Sequence, residues 1–179
     1  MGVFKFLFKT TVYGAAGSAG AFALWTRNSK FVAVSSSDPL LSSPSYLKFN
    51  PNRNPAVHDV CVKRVPLDKI KPHLLEKEGK LTEAFCAGVW SGLVSKTPES
   101  IVVRCGDSPL KKDVRPSDGL FEMAAVVKRD EGVAEFRLTS VFYRGLGTAT
   151  EKPMPPHIEF LHRLYTKLWM ETAVLNVER

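Results

Sequence analysis

The run "LFEMAAVVKR", the short turn "DEG" and the run "VAEFRLTSVFYRG", from Leu120 to Gly145, constrain the fold more than any other part of the chain. Two arms rich in β-branched and aromatic residues, separated by Asp130, Glu131 and Gly132, read as an antiparallel hairpin. Successive strand side chains point to opposite faces. On the second arm Ala134, Phe136, Leu138, Ser140 and Phe142 therefore share one face, while Glu135, Arg137, Thr139, Val141 and Tyr143 share the other.

A cover for one face of such a ribbon is available downstream. After "LGTATEKPMPP", two prolines open a helix predicted from about His157 to Val177. Ile158, Leu161, Leu164, Tyr165, Leu168, Trp169, Thr172 and Leu175 recur along it at three- and four-residue steps, an apolar stripe wide enough to cover a sheet. Upstream, "AVHDVCVKRVP" reads as a strand, with Val57, Asp59, Cys61 and Lys63 alternating with His58, Val60, Val62 and Arg64 until Pro66. "LDKIKPHLLEKEGKLTEAFCAGVWSGL" has helical spacing interrupted at Gly79, so two short helices are expected, Val89 and Trp90 falling in the second. "ESIVVRC" is a short strand, and "GDSPLKKDVRPSDG" a loop marked by Pro109, Pro116 and Asp118-Gly119. The fold class is α+β, a curved antiparallel sheet with a long C-terminal helix packed on it. About four strands are legible, near Val57, Ile101, Phe121 and Val133.

The N-terminal stretch "TVYGAAGSAGAFALW" admits two readings. Gly14, Gly17 and Gly20 have the spacing of the glycine-rich turn of short-chain dehydrogenases, with Asp38 near the place of a ribose-binding acid. That reading needs a parallel sheet which the Pro-, Ser- and Asn-rich "PLLSSPSYLKFNPNRNPA" cannot build, and the Tyr-x-x-x-Lys pair is missing. The other reading is a membrane helix. Phe4 to Trp25 is close to the roughly 20 residues that span a bilayer core, Lys5 and Lys9 lie near one end, and Trp25, Arg27 and Lys30 form an interfacial flank at the other. Gly14, Gly17, Ser18, Gly20 and Ala21 would then let a second helix approach closely. A cleaved or peripheral segment is the variant of this reading, because so much Ala and Gly makes a marginal span. The chain thus divides into an anchor helix at 1–30, an extended Pro/Ser-rich tether at 31–55 and an α+β domain at 56–179.

Charge and cysteine content exclude several classes. Of the net charge of +7, Lys5, Lys9, Arg27 and Lys30 supply +4 in a stretch without acids, which leaves a body only mildly basic. No clustered basic face with interleaved aromatics is present, so nucleic acid is not an expected partner. Cys61, Cys86 and Cys105 are odd in number and widely spaced. They read as structural thiols of a reducing, intracellular compartment rather than zinc ligands or disulfides. Glu159 and His162 form a single Glu-x-x-His, insufficient for a di-iron centre, and read instead as helix-surface residues with Glu159 paired to Arg163. No metal and no cofactor is expected. Ser140 lacks the flanking glycines of a nucleophile elbow.

Three stretches together, "AVHDVCVKRVPLDKIKPHLLEKEGKLTEAFCAGVW", "TPESIVVRCGDSP…DGLFEMAAVV…FRLTSVFYRG" and "MPPHIEFLHRLYTKLWMETAV", resemble small fungal proteins of START-like, helix-grip type. The resemblance covers about Ala56 to Val177. It implies an apolar ligand held between a curved sheet and the C-terminal helix, in a superfamily that includes polyketide cyclases of secondary metabolism and lipid carriers. START-like sheets have six or seven strands, so this chain reads as a version shortened in the middle, with an open sheet edge available to a second copy.

The residues that could face such a cavity are Arg104, Glu122, Arg137, Tyr143, His162 and Tyr165, with Glu122 and Arg137 also readable as a cross-strand ion pair. No catalytic residue is assigned. The expected function is a membrane-tethered, single-pass, hydrophobic-ligand-binding protein acting in polyketide cyclisation or lipid handling, its partners being a hydrophobic small molecule or lipid, a membrane and another copy of itself. The alternatives are a noncatalytic membrane interaction protein and a nicotinamide oxidoreductase.

Overall fold

Strand-forming residues at alternating positions produce long β2 (Ala56–Pro66), β5 (Asp118–Lys128) and β6 (Val133–Tyr143), with the shorter β1 (Lys30–Val32), β3 (Leu93–Lys96) and β4 (Ser100–Gly106) beside them. The computed structural model describes residues 2–35, 37–87, 93–108 and 110–179. Its strands form one antiparallel sheet in the order β1-β2-β6-β5-β4-β3. The predicted hairpin is β5–β6, paired without interruption from Asp118 opposite Tyr143 to Lys128 opposite Val133. β2 runs along the other side of β6, from Ala56 opposite Tyr143 to Pro66 opposite Val133.

The helices are α1 (Gly2–Trp25), α2 (Pro39–Ser42), α3 (Pro44–Phe49), α4 (Lys80–Cys86) and α5 (Pro156–Leu175). Pro155 caps α5 and Pro156 is its first residue, where a missing N–H costs nothing. One face of the sheet, here called inner, packs Cys61, Val65, Phe121, Met123, Phe136 and Leu138 against Met170, Ala173 and Val174 of α5 and Leu81 and Phe85 of α4. α5 lies over β2 and β6, and α4 over β4 and β5. The outer face packs Val102, Leu120, Val141 and Tyr143 against Leu40, Tyr46 and Phe49.

The strand count is corrected. The sheet has six strands among the described residues rather than about four. β1 is three residues long and β3 four, too short for alternation to mark them. The helical placement of Val89 and Trp90 lies outside the described residues.

The stretch read as a tether is folded onto the body. Asp38 accepts a hydrogen bond from the Leu40 amide to start α2, Ser43 accepts one from the Tyr46 amide to start α3, and each helix carries proline in its first turn. Serine and proline here act as helix-starting residues, not as parts of an extended tether. Asn50 donates to the Tyr46 hydroxyl and the Asn54 carbonyl, and Asn54 donates to the carbonyls of Arg144 and Gly147, tying the segment to the end of β6.

The single-pass anchor also fails: among the described residues no helix is long and apolar enough to cross a membrane. The run of Ala, Gly, Ser and Thr from Thr10 to Ala21 dilutes the hydropathy below what spanning requires. Apart from the helix's own neighbouring backbone, nothing among the described residues comes within 4 Å of the Cβ positions at Gly14, Gly17 and Gly20, and Trp25 is exposed. These glycines lie inside a helix and every strand pairing among the described residues is antiparallel, which removes the strand-turn-helix needed for a dinucleotide site. Thr26 is buried, and the chain turns there through Ser29 into β1.

Gly145 is where the outer layer meets the sheet: a Cβ there would stand 2.7 Å from the carbonyl oxygens of Arg115 and Phe49. Gly145→Ala is expected to lower unfolding stability by about 1–3 kcal/mol through overpacking against backbone, measured by urea denaturation.

Candidate functional site

Asp59 and Ser140 project from directly opposed positions of β2 and β6 onto the inner face. α5 brings His162 and Thr166, one turn apart, down on them. The Ser140 hydroxyl donates to Asp59 Oδ1 at 2.7 Å, and His162 Nε2 lies 2.9 Å from Ser140 Oγ, 3.2 Å from Asp59 Oδ2 and 3.3 Å from Thr166 Oγ1. Thr166 commits its own proton to the His162 carbonyl. With the serine and threonine protons both used elsewhere, the three oxygens around Nε2 are acceptors, and the network assigns the ring proton to Nε2. Nδ1 is then the basic nitrogen of the neutral ring. Ser140 is fully buried, and only 9% of either the Asp59 or the His162 side chain is exposed.

This arrangement differs from a serine-hydrolase triad. There, one ring nitrogen takes the serine proton while the other is held by the carboxylate. Here a single nitrogen faces both groups and the serine proton goes to Asp59, so Ser140 is an anchor and not a nucleophile. What the cluster can do is hold His162 in one tautomer, support a positive charge on its ring through Asp59, and present an acid–base group.

The surroundings are aromatic. The His162 ring meets Phe142 edge-on at 4.9 Å, Phe142 meets Phe121 at 5.5 Å, Phe121 meets Trp169 at 5.9 Å, and Trp169 meets Tyr165 at 4.6 Å. Phe142, Trp169 and Cys105 on this face are only partly buried, and Tyr165 and Leu161 stand exposed on α5. Burial pushes the thiols of Cys61, Cys86 and Cys105 up to about 12, so none is a thiolate near neutral pH, as the structural reading expects.

The six residues singled out in the sequence divide between two faces. His162 and Tyr165 belong to the cluster just described. Arg104, Glu122, Arg137 and Tyr143 lie on the outer face. Arg104 is buried there in a pairing with Asp118, hydrogen-bonds the carbonyls of Lys112 and Asp113, and stacks 3.5 Å from the centroid of the Phe49 ring. Tyr143 is fully buried with its ring edge-on to Tyr46. Glu122 stands opposite Thr139, not Arg137, whose guanidinium is instead 3.8 Å from Asp38. Glu159 pairs with Lys152 at 3.9 Å, while Arg163 sits over the Phe31 ring.

Asp59, Thr166 and the bonding role of Ser140 were missed. The available signal was a carboxylate on the strand face shared with Val57 and Cys61, since a charge on an inward face must find a partner. Lys63 carries the same signal: it donates to Glu171 at 2.5 Å, and Glu171 also accepts from the buried Ser29 hydroxyl at 2.6 Å. Comparison with protein-family models, with curated proteins and with solved structures gives no match.

On the outer face His58 is buried with Nε2 3.7 Å from Asp38, and desolvation holds its pKa below the ordinary 6.5 despite the nearby Asp38 and Asp59. The unfolded chain then binds more protons than the folded one as pH falls below 6.5, so stability declines on that side. His58→Gln is expected to flatten the loss of stability between neutral pH and pH 5, read from urea midpoints across that window; an unchanged slope would place the linkage elsewhere.

Proposed function

We propose that this protein binds a hydrophobic, ring-bearing small molecule along the inner face beside α5 and reads one polar group of it with His162. The observation that carries the reading is the buried Asp59–Ser140–His162 cluster set at the end of the aromatic series Phe142, Phe121, Trp169 and Tyr165. A polar group placed among aromatic side chains costs desolvation and contributes little to packing, which favours a role in recognition. The α+β order, ending in a helix laid across an antiparallel sheet, is the setting in which the START-like resemblance expects an apolar ligand. The acid–base character of His162 suits ligands that carry a hydroxyl or an enolisable carbonyl. Cyclisation of a polyketone needs one such proton transfer and an apolar container, and a lipid carrier needs the container alone.

Naphthol and naphthalene differ by one hydroxyl and test this directly. Saturable quenching of tryptophan fluorescence by naphthol, about tenfold tighter than by naphthalene, is the expected result, since a hydrogen bond to a charged or polarised partner contributes roughly 1.5–3 kcal/mol. His162→Ala should bring the two affinities together, and Trp169→Phe should remove most of the signal. Equal affinities in the unaltered protein, or a signal indifferent to Trp169, would overturn the reading.

A further inference from the structure

A cavity of about 340 Å³ lies between the C-terminal part of α1 and the side of α5 that faces away from the aromatic cluster. Phe22, Phe31, Phe160 and Leu164 give it an apolar lining, and Arg163 and Lys167, one helical turn apart, supply its charges. Among the described residues no carboxylate lines it. The acids nearest on α5 are engaged elsewhere, Glu159 by Lys152 and Glu171 by Lys63 and Ser29. No acid occurs from Met1 to Lys30 either. Arg163 holds its guanidinium 4.3 Å from the centroid of the Phe31 ring, and neither it nor Lys167 enters an ion pair among the described residues.

We propose that this groove binds a free, single-chain amphiphile with an anionic head, its tail against Phe22, Phe31, Phe160 and Leu164 and its head on Arg163 and Lys167. The charge pattern selects the sign of the head. The stacked guanidinium keeps its planar donors in place for a carboxylate or sulfate, and the ammonium adds a compact charge beside it. The size selects the source: the volume is at the lower end for small-molecule pockets, and α1 walls one side, which fits one chain rather than a bilayer surface. The site is separate from the inner-face cluster and does not depend on it.

Fluorescence titration of the full chain with dansyl-labelled undecanoate tests the assignment. Saturable binding is expected, displaced by dodecanoate but not by dodecyltrimethylammonium, which has the same tail and the opposite charge. Exchanging both charges, R163E with K167E, should weaken the probe at least tenfold, about 1.4 kcal/mol, and reverse the preference between the two competitors. Should that variant fail to fold, Phe160→Asp provides the second reading, because Phe160 is 61% exposed and its loss should weaken binding without unfolding the body. Equal displacement by both competitors, affinity unchanged in the variants, displacement of the probe by naphthol, or binding to phosphatidylglycerol vesicles without binding to the monomeric probe would each overturn the proposal.

Discussion

Two buried polar bridges fix α5 on β2, and the inner face takes its shape from them. Asp59 meets His162 at one end, and Lys63 meets Glu171 at the other. Asp59 and Lys63 are four residues apart on a strand, roughly 13 Å at about 3.3 Å per residue. His162 and Glu171 are nine residues apart on a helix, about 13.5 Å at 1.5 Å per residue. The spans match only if the helix runs along β2 in the same direction, so the pairs set its angle and its register together. Apolar contacts through Met170, Ala173 and Val174 supply most of the adhesion, but such contacts are non-directional and would tolerate a helix shifted by a turn. A shift would leave Lys63 buried without its carboxylate, at a cost of several kcal/mol for that broken pair, and would leave Asp59 with Ser140 alone.

The same register decides what α5 leaves uncovered. With Thr166, Met170 and Val174 turned to the sheet, Leu161 and Tyr165 point to the aromatic side, and Phe160, Arg163 and Lys167 point toward α1. The apolar stripe read from the sequence as one face is therefore shared between the core and two lateral surfaces. Ser29 extends the constraint beyond α5, because its hydroxyl ends on Glu171 and so ties the turn between α1 and β1 to the same bridge.

How much of this was legible follows from the length and patterning of each element. β2, β5, β6 and α5 are long enough for period two or period three-and-a-half to show, and their predicted and observed bounds differ by a residue or two. β1 and β3 are shorter than a period analysis can resolve, and they depend on neighbours for their conformation. Residues 31–55 misled for a different reason. Pro, Ser and Asn suit an extended linker and also suit short capped helices, and the choice rests on Tyr46 and Phe49 finding Val102, Leu120 and Tyr143 across the sheet. In the N-terminal stretch, Ala and Gly favour neither a span nor a nucleotide turn once hydropathy and strand direction are taken into account.

The candidate site was half legible for a related reason. Arg104, Glu122, Arg137 and Tyr143 were chosen for chemical type, yet the alternation already recognised along β6 puts Arg137 and Tyr143 on the face away from Phe142. Parity decides accessibility before chemistry does. The Arg104–Asp118 pair, sealed under Phe49 and reinforced by Arg115 at 3.9 Å, has the partners a catalytic group would have, but α3 closes the face that a ligand would need. His162 has fewer charged neighbours and sits in the second turn of α5, edge-on to the partly buried Phe142. In the reading proposed for it, His162 gives Nε2 to the fold through Ser140 and Asp59 and Nδ1 to the ligand, so that one buried ring would serve both as a structural pin and in recognition.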